Sequence, residues 1–211
     1  MSVGQRPGEI PFGHEFLDGI LQNPVNRLIL DRFASFGFED WWLTAGCLAQ
    51  TIWNIKANRA PDADIADYDL FYFDSDTSWQ AEDQVIAQGA ELFADIEVSV
   101  EIRNQARVPI WYPEKFAVPY GAVYAASDGI DRFAYQTSAI GVRKEAGRKG
   151  PDAYRIYAPF GLGAVMQGRV IPNMVLPVRN VYEAKVARWQ KIWPDLIVLP
   201  WPDEDGQGRD A

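Results

Sequence analysis

Asp67 and Asp69 sit in the stretch Asp-Tyr-Asp-Leu-Phe-Tyr-Phe-Asp, residues 67–74, whose other members are those of a buried β-strand. Two residues apart on a strand, the carboxylates point to one face, while Tyr68, Leu70 and Tyr72 point to the other. Ionised carboxylates are costly to desolvate unless positive charge meets them. A pair on one face suits a hard divalent cation, since Mg2+ takes carboxylates, waters and substrate phosphates as ligands. A later alternating stretch, Glu-Val-Ser-Val-Glu-Ile-Arg, puts Glu97, Ser99, Glu101 and Arg103 on one face and Val98, Val100 and Ile102 on the other. Glu97 and Glu101 both qualify there as a third oxygen ligand.

Ala45-Gly46-Cys47 lies between a short apolar run and a segment of helical periodicity. A glycine with no side chain to block an anion, at the start of a helix whose first NH groups are free, forms a seat for phosphate. Phosphate beside paired carboxylates is what two-metal phosphoryl or nucleotidyl transfer requires, with ions roughly 3.5–4 Å apart. The plainer alternative makes Asp67 and Asp69 the start of a solvent-facing strand. Cys47 reads as a small buried residue rather than a nucleophile, because no histidine is near it in sequence. Arg103, Arg107 and Arg143 are candidate phosphate contacts, with structural ion pairing as the other reading.

The elements that must position these groups follow from periodicity. Residues 14–36 read as two short helices broken at Asn23-Pro24, and 40–46 as a strand closing on Gly46. A helix follows over 47–58, then the strand at Asp67 and a helix from about 77 capped by Asp76 or Thr77. The alternating strand near 98–103 comes next. Beyond it, the spacing predicts a helix near 127–136, a short strand at 138–143, and a strand, turn and short helix over 153–170. A late amphipathic helix over 181–193 turns Val181, Ala184, Trp189 and Ile192 inward and stops at Pro194. The tryptophans read mainly as core. The whole is one domain over residues 1–200, core about 25–145, with a disordered acidic tail at 201–211.

The chain has 211 residues, 48% of them hydrophobic, enough for one sizeable core. A single cysteine and a single histidine exclude an internal disulfide and zinc centres of the His/Cys type. Any metal must be held by oxygen. The net charge of −9 disfavours a broad grip on long nucleic acid, which needs many phosphate contacts. The basic segment 142–150 reads either as a solvated loop or as a local anion site that could take a short nucleic-acid end. No apolar run has bilayer length and the N-terminus lacks signal-peptide character, so a cytoplasmic protein without membrane insertion is expected.

The strings Thr-Ala-Gly-Cys-Leu-Ala-Gln, Asp-Tyr-Asp-Leu-Phe-Tyr-Phe-Asp and Val-Glu-Ile-Arg-Asn-Gln-Ala-Arg-Val, in that order, resemble the bacterial nucleotidyltransferase-like proteins of the polymerase-beta-type superfamily. Arg-Asn-Gln-Ala-Arg, Ala-Pro-Phe-Gly-Leu and Arg-Trp-Gln-Lys-Ile-Trp-Pro-Asp-Leu extend the resemblance over most of residues 40–196. The resemblance implies an α/β (α+β) nucleotidyltransferase fold, a small mixed β-sheet flanked by helices with a C-terminal helical extension. It implies Gly46 and Cys47 at the phosphate turn, Asp67 and Asp69 as the metal pair, and Glu101 rather than Glu97 as the third catalytic and metal-binding carboxylate. Arg107 and Arg143 are the accompanying nucleotide-binding candidates. Asn104, Gln105 and Arg107 match the subfamily's Asn-Gln-Ala-Arg string without an assigned role. Two residues depart from the pattern: Cys47 stands where Gly or Ser is usual, and Pro109 where the subfamily tends to have His.

The expected activity is Mg2+- or Mn2+-dependent transfer of a nucleoside monophosphate from a nucleoside triphosphate to a small-molecule or protein acceptor. The alternatives are an inactive nucleotide-binding or regulatory protein on the same fold, or an interaction module that reuses it.

Overall fold

A computed structural model describes residues 4–202. The acidic stretch 203–211 therefore lies outside the described residues, but Trp201, which the sequence assigns to the tail, does not behave as tail. It is buried, its ring centre 5.6 Å from that of Tyr182.

Two helices open the chain, α1 (Gly13–Ile20) and α2 (Pro24–Phe33). Asn23 separates them as expected: its side-chain oxygen accepts from the backbone NH groups of Val25 and Asn26, and Pro24 occupies the first helical turn. Then follow β1 (Trp41–Thr44), α3 (Gly46–Lys56), β2 (Asp67–Tyr72), α4 (Trp79–Leu92), β3 (Ser99–Asn104), α5 (Val108–Phe116) and α6 (Ala126–Ile130). The chain continues through β4 (Gly141–Lys144), β5 (Tyr154–Tyr157), α7 (Gly163–Met166), β6 (Arg169–Val170), α8 (Arg179–Ile192) and β7 (Ile197–Val198).

Five strands form a mixed sheet in the order β3-β2-β1-β4-β5, with β2 and β3 parallel and the other neighbours antiparallel. The parallel pair is joined by α4, the crossover that parallel strands require. One face of the sheet, carrying Trp41, Leu43, Tyr68, Leu70, Tyr72, Ile102, Val142 and Ile156, belongs to a single core with residues of α1, α2, α3 and α8. That core draws on residues from Ile10 to Trp201. On the opposite face, Trp42 packs with Ala126 and Ile130 of α6.

Two local readings need correction. Helix α4 is capped by Ser78, whose hydroxyl accepts from Ala81 N at 3.2 Å, not by Asp76 or Thr77. Asp74 and Asp76 instead accept from the NH groups of Asp76 and Ser78, two successive Asx turns that carry the chain past the expected cap. In α8, Tyr182, Val186 and Trp189 are buried and Ala184 is exposed, so the inward stripe is rotated from the expected one. Val181 and Ile192 flank it.

Candidate functional site

Asp67 and Asp69 project from the sheet face opposite Tyr68, Leu70 and Tyr72, as their spacing requires, and are partly buried. The register brings Thr44 of β1 beside Asp69 on one side and Glu101 of β3 beside it on the other. Glu101 is thus one strand spacing away, about 4.8 Å along the sheet. Glu97 lies before β3 begins and has no place in this register.

The charges act on one another at this range. The Asp69 carboxyl is pushed up to about 7, first by burial, then by the negative charges of Asp67 and Glu101. Arg103 and Lys185 oppose that shift. Arg103 lies two residues beyond Glu101 on the same strand face and pairs with it at 3.4 Å. Lys185 comes from α8. Its ammonium stands 5.8 Å from the ring centre of Tyr135, and although burial opposes its charge, Tyr135, Asp69 and Asp67 outweigh burial and raise its pKa. Next to it on α8, Arg188 and Asn180 line an open hollow with Lys185. Sequence reading passed over Lys185 and Arg188 because the inward stripe of α8 was assigned to other positions. A helix turning Tyr182, Val186 and Trp189 to the core presents its cations beside that stripe.

At the turn expected to seat phosphate, Gly46 is the first residue of α3, and the residue before it, Ala45, carries the unusual backbone, φ 65° and ψ −139°. A β-carbon on Gly46 would lie 2.4 Å from the Gln50 side-chain amide, which folds back over the turn. Cys47 is fully buried, its thiol directed at the Thr44 carbonyl oxygen at 3.2 Å. Burial, followed by the charges of Asp69 and Asp67, drives its pKa well up, which suits packing and not nucleophilic attack. Only the backbone of Cys47 can serve a ligand.

The two arginines taken as nucleotide-binding are not brought to the carboxylates. Arg107 is buried and bonded to Glu82 of α4 at 2.8 Å, with Trp79 stacked 4.0 Å from its guanidinium carbon. Arg143 lies level with Trp42, on the far side of β1 from β2, where it donates to the Glu39 carbonyl and covers the Trp42 ring at 5.0 Å. The Asn-Gln-Ala-Arg string is a structural clasp. Asn104 accepts from Asp74 N and Ala106 N and donates to the Asp74 and Asp76 carbonyls, tying the end of β3 to the loop after β2. Gln105 packs against Gly129 of α6. Pro109 occupies the first turn of α5, where a missing NH is harmless. The basic segment 142–150 links β4 to β5 and is ion-paired, Lys144 with Asp31 and Arg148 with Glu145.

Among the described residues, no group of three or more His, Cys, Asp or Glu side chains converges closely enough to hold a metal ion, and no helix is long and apolar enough to cross a membrane.

Comparison with known proteins agrees with this architecture. A solved NMR structure described as revealing a CCA-adding enzyme head domain is similar to the chain with a TM-score of 0.68 and 24% identity, covering 89% of this chain and 96% of that one. At that identity the likeness establishes the fold. No curated protein matches the chain. A family model described as nucleotidyltransferase matches residues 31–198, from within α2 through β7, and by that match the chain belongs to the nucleotidyltransferase family.

Proposed function

We propose that the protein transfers a nucleoside monophosphate from a nucleoside triphosphate, with Mg2+ or Mn2+, to the hydroxyl of a small-molecule or protein acceptor. The observation that carries this reading is the Asp67, Asp69 and Glu101 face, where strand register sets Glu101 beside Asp69, and where burial and then the neighbouring carboxylates raise the Asp69 pKa while Lys185 opposes them.

The donor set fits a divalent ion. Asp69 holds its proton first because it is buried and then because Asp67 and Glu101 crowd negative charge around it, and a cation would offset both. Mg2+ needs only one or two carboxylates when substrate phosphates and waters complete its shell, so Asp67 and Asp69 suffice without a three-carboxylate cage. When bound, the ion would polarise the reacting phosphoryl group and neutralise the departing pyrophosphate. The free NH groups at the start of α3, with Lys185 and Arg188, would hold the triphosphate. Glu101 would accept the acceptor's proton as its oxygen attacks the α-phosphorus. The bond from the α-phosphorus to the β-phosphate bridging oxygen breaks, and pyrophosphate leaves with the electron pair.

A nucleotide-binding regulatory protein is the second reading, favoured by the Arg103 contact that engages Glu101. Incubation with each nucleoside triphosphate, Mg2+ or Mn2+ and a metabolite pool separates the two, with pyrophosphate release and nucleotide adducts measured by mass spectrometry. Transfer predicts both products, and their loss in folded Asp67→Asn and Asp69→Asn. Binding without either product supports the regulatory reading. Binding and turnover that survive both substitutions unchanged would refute the site.

A further inference from the structure

Beside the carboxylates lies a cavity of about 280 Å3 that the transfer chemistry above does not use. Glu101 and Arg103 form part of its wall, so it opens on the third carboxylate. Much of the remaining wall is aromatic. Trp111, Tyr112 and Phe116 come from α5 and Tyr120 from the segment after it, and Tyr112 packs with Phe116 and Tyr120 at ring-centre distances of 4.5 Å each. From the other side come Phe133 and Tyr135, the latter also touching Lys185. The cavity therefore shares Glu101 with the proposed site, and its wall is mostly aromatic and aliphatic, with Arg103, Gln105 and Arg132 as its other polar members.

Its size and charge narrow the occupant. About 280 Å3 lies at the small end of small-molecule sites, room for one ring system and not for an oligomer. Of the cations in its wall, Arg132 is already bonded to the carbonyls of Tyr120, Ala122 and Asp128, and Arg103 is paired with Glu101. Arg132 is thus occupied by carbonyls, and the half-exposed Arg103 is offset by the Glu101 it contacts, so the wall offers an anionic acceptor little that a neutral one lacks. Flat aromatic walls favour a flat partner, because offset and edge-to-face ring contacts add to the burial of apolar surface.

We infer that this cavity is the acceptor seat and that the acceptor is a small neutral alcohol carrying an aromatic ring, its hydroxyl turned to Glu101. The inference rests on the proposed transferase reading. The reaction is R–OH plus nucleoside triphosphate giving the phosphodiester R–O–PO2–O–nucleoside, pyrophosphate and a proton. The new bond joins the alcohol oxygen to the α-phosphorus, the α–β bridging bond breaks, and the proton passes to Glu101 and on to solvent.

Ligand-observed NMR of the full chain with benzyl alcohol and 2-naphthalenemethanol, against glycerol, glucose and adenosine, tests the seat directly. Mass spectrometry of the same mixtures after addition of nucleoside triphosphate and Mg2+ tests the transfer. The aromatic alcohols should bind without nucleotide, remain bound when it is added, and yield nucleotide esters that glycerol and glucose do not. Trp111→Ala should weaken aromatic binding at least ten-fold and Trp111→Phe less than three-fold, which distinguishes ring contact from misfolding. Displacement of the aromatic probes by adenosine or by the triphosphate overturns the inference and makes the cavity a nucleobase seat. Esters formed only with glycerol or glucose overturn it while leaving the transferase reading intact. Aromatic binding with no triphosphate binding under any condition removes the transferase reading itself, and the acceptor role with it.

Discussion

Asp69 on β2 and Lys185 on α8 are electrostatically coupled, each shifting the other toward its charged form. The pairing joins a residue of the sheet to one from the last helix, and it leaves Asp69 still far from the ordinary carboxylate range. Burial and two neighbouring carboxylates outweigh one lysine.

Asp69 should make stability depend on pH. A carboxyl at about 7 in the folded chain and near 4 in the unfolded chain holds its proton more tightly when folded. The resulting stabilisation is fully present below about pH 4 and is lost as pH rises through 7. Asp69→Asn should therefore flatten the profile between pH 4 and 7 and gain roughly 1–3 kcal/mol at pH 8 without metal, discounted for partial exposure. Urea melts across that range check it. Mg2+ or Mn2+ should raise the melting temperature of the wild type at pH 8 more than at pH 5, and that of Asp69→Asn little.

Lys185→Gln and Arg188→Gln should each weaken triphosphate binding about ten-fold, near 1.4 kcal/mol. Losing Lys185 should also raise the Asp69 pKa further, since one opposing positive charge disappears. Titration calorimetry with nucleotide and carbon-detected NMR of the aspartates would show both effects. Unchanged affinity in both variants would remove α8 from the site.

Breaking the buried Arg107–Glu82 pair should be costly for folding and neutral for chemistry. Arg107→Met leaves Glu82 buried beside Asn104 with an unpaired charge, an arrangement that costs about 3–5 kcal/mol. Urea unfolding should show that loss. Triphosphate affinity, measured under conditions where the variant is folded, should match the wild type.

Ala45→Gly should stabilise the chain by about 1 kcal/mol. Alanine at φ 65° and ψ −139° sits where glycine is at ease, and the relief exceeds the added flexibility of the unfolded chain. Gly46→Ala should change stability less, because the atom its methyl group meets is the end of the flexible Gln50 side chain, which can turn aside, and alanine suits a helix better than glycine. Thermal melts of both variants report the difference in size.

What the sequence revealed and what it hid differ in physical kind. Strand alternation has a period of two residues, so the shared face of Asp67 and Asp69 could be read from spacing alone, whereas Glu101 was chosen over Glu97 by the resemblance and set beside Asp69 by strand register; Asn23-Pro24 marked a helix boundary by local chemistry. Arg107 looked like a phosphate ligand because its partner, Glu82, is on another element and nothing local announces a buried pair. Lys185 was missed for a related reason: its meaning depends on how far α8 is rotated about its axis, which tertiary packing of Tyr182, Val186 and Trp189 decides. The strain at the turn was legible as a glycine-containing motif, yet it fell on Ala45, one residue before the glycine.

The residues after α8 fasten that helix in place. β7 pairs with β6, Leu199 N donates to the Val170 carbonyl, and the Tyr182 hydroxyl donates to the carbonyls of Val170 and Leu199 beside the Trp201 ring. The segment 197–201, far along the chain from the carboxylates, therefore sets where α8 holds Lys185, so loosening that segment would shift the charge balance around Asp69 without touching any carboxylate.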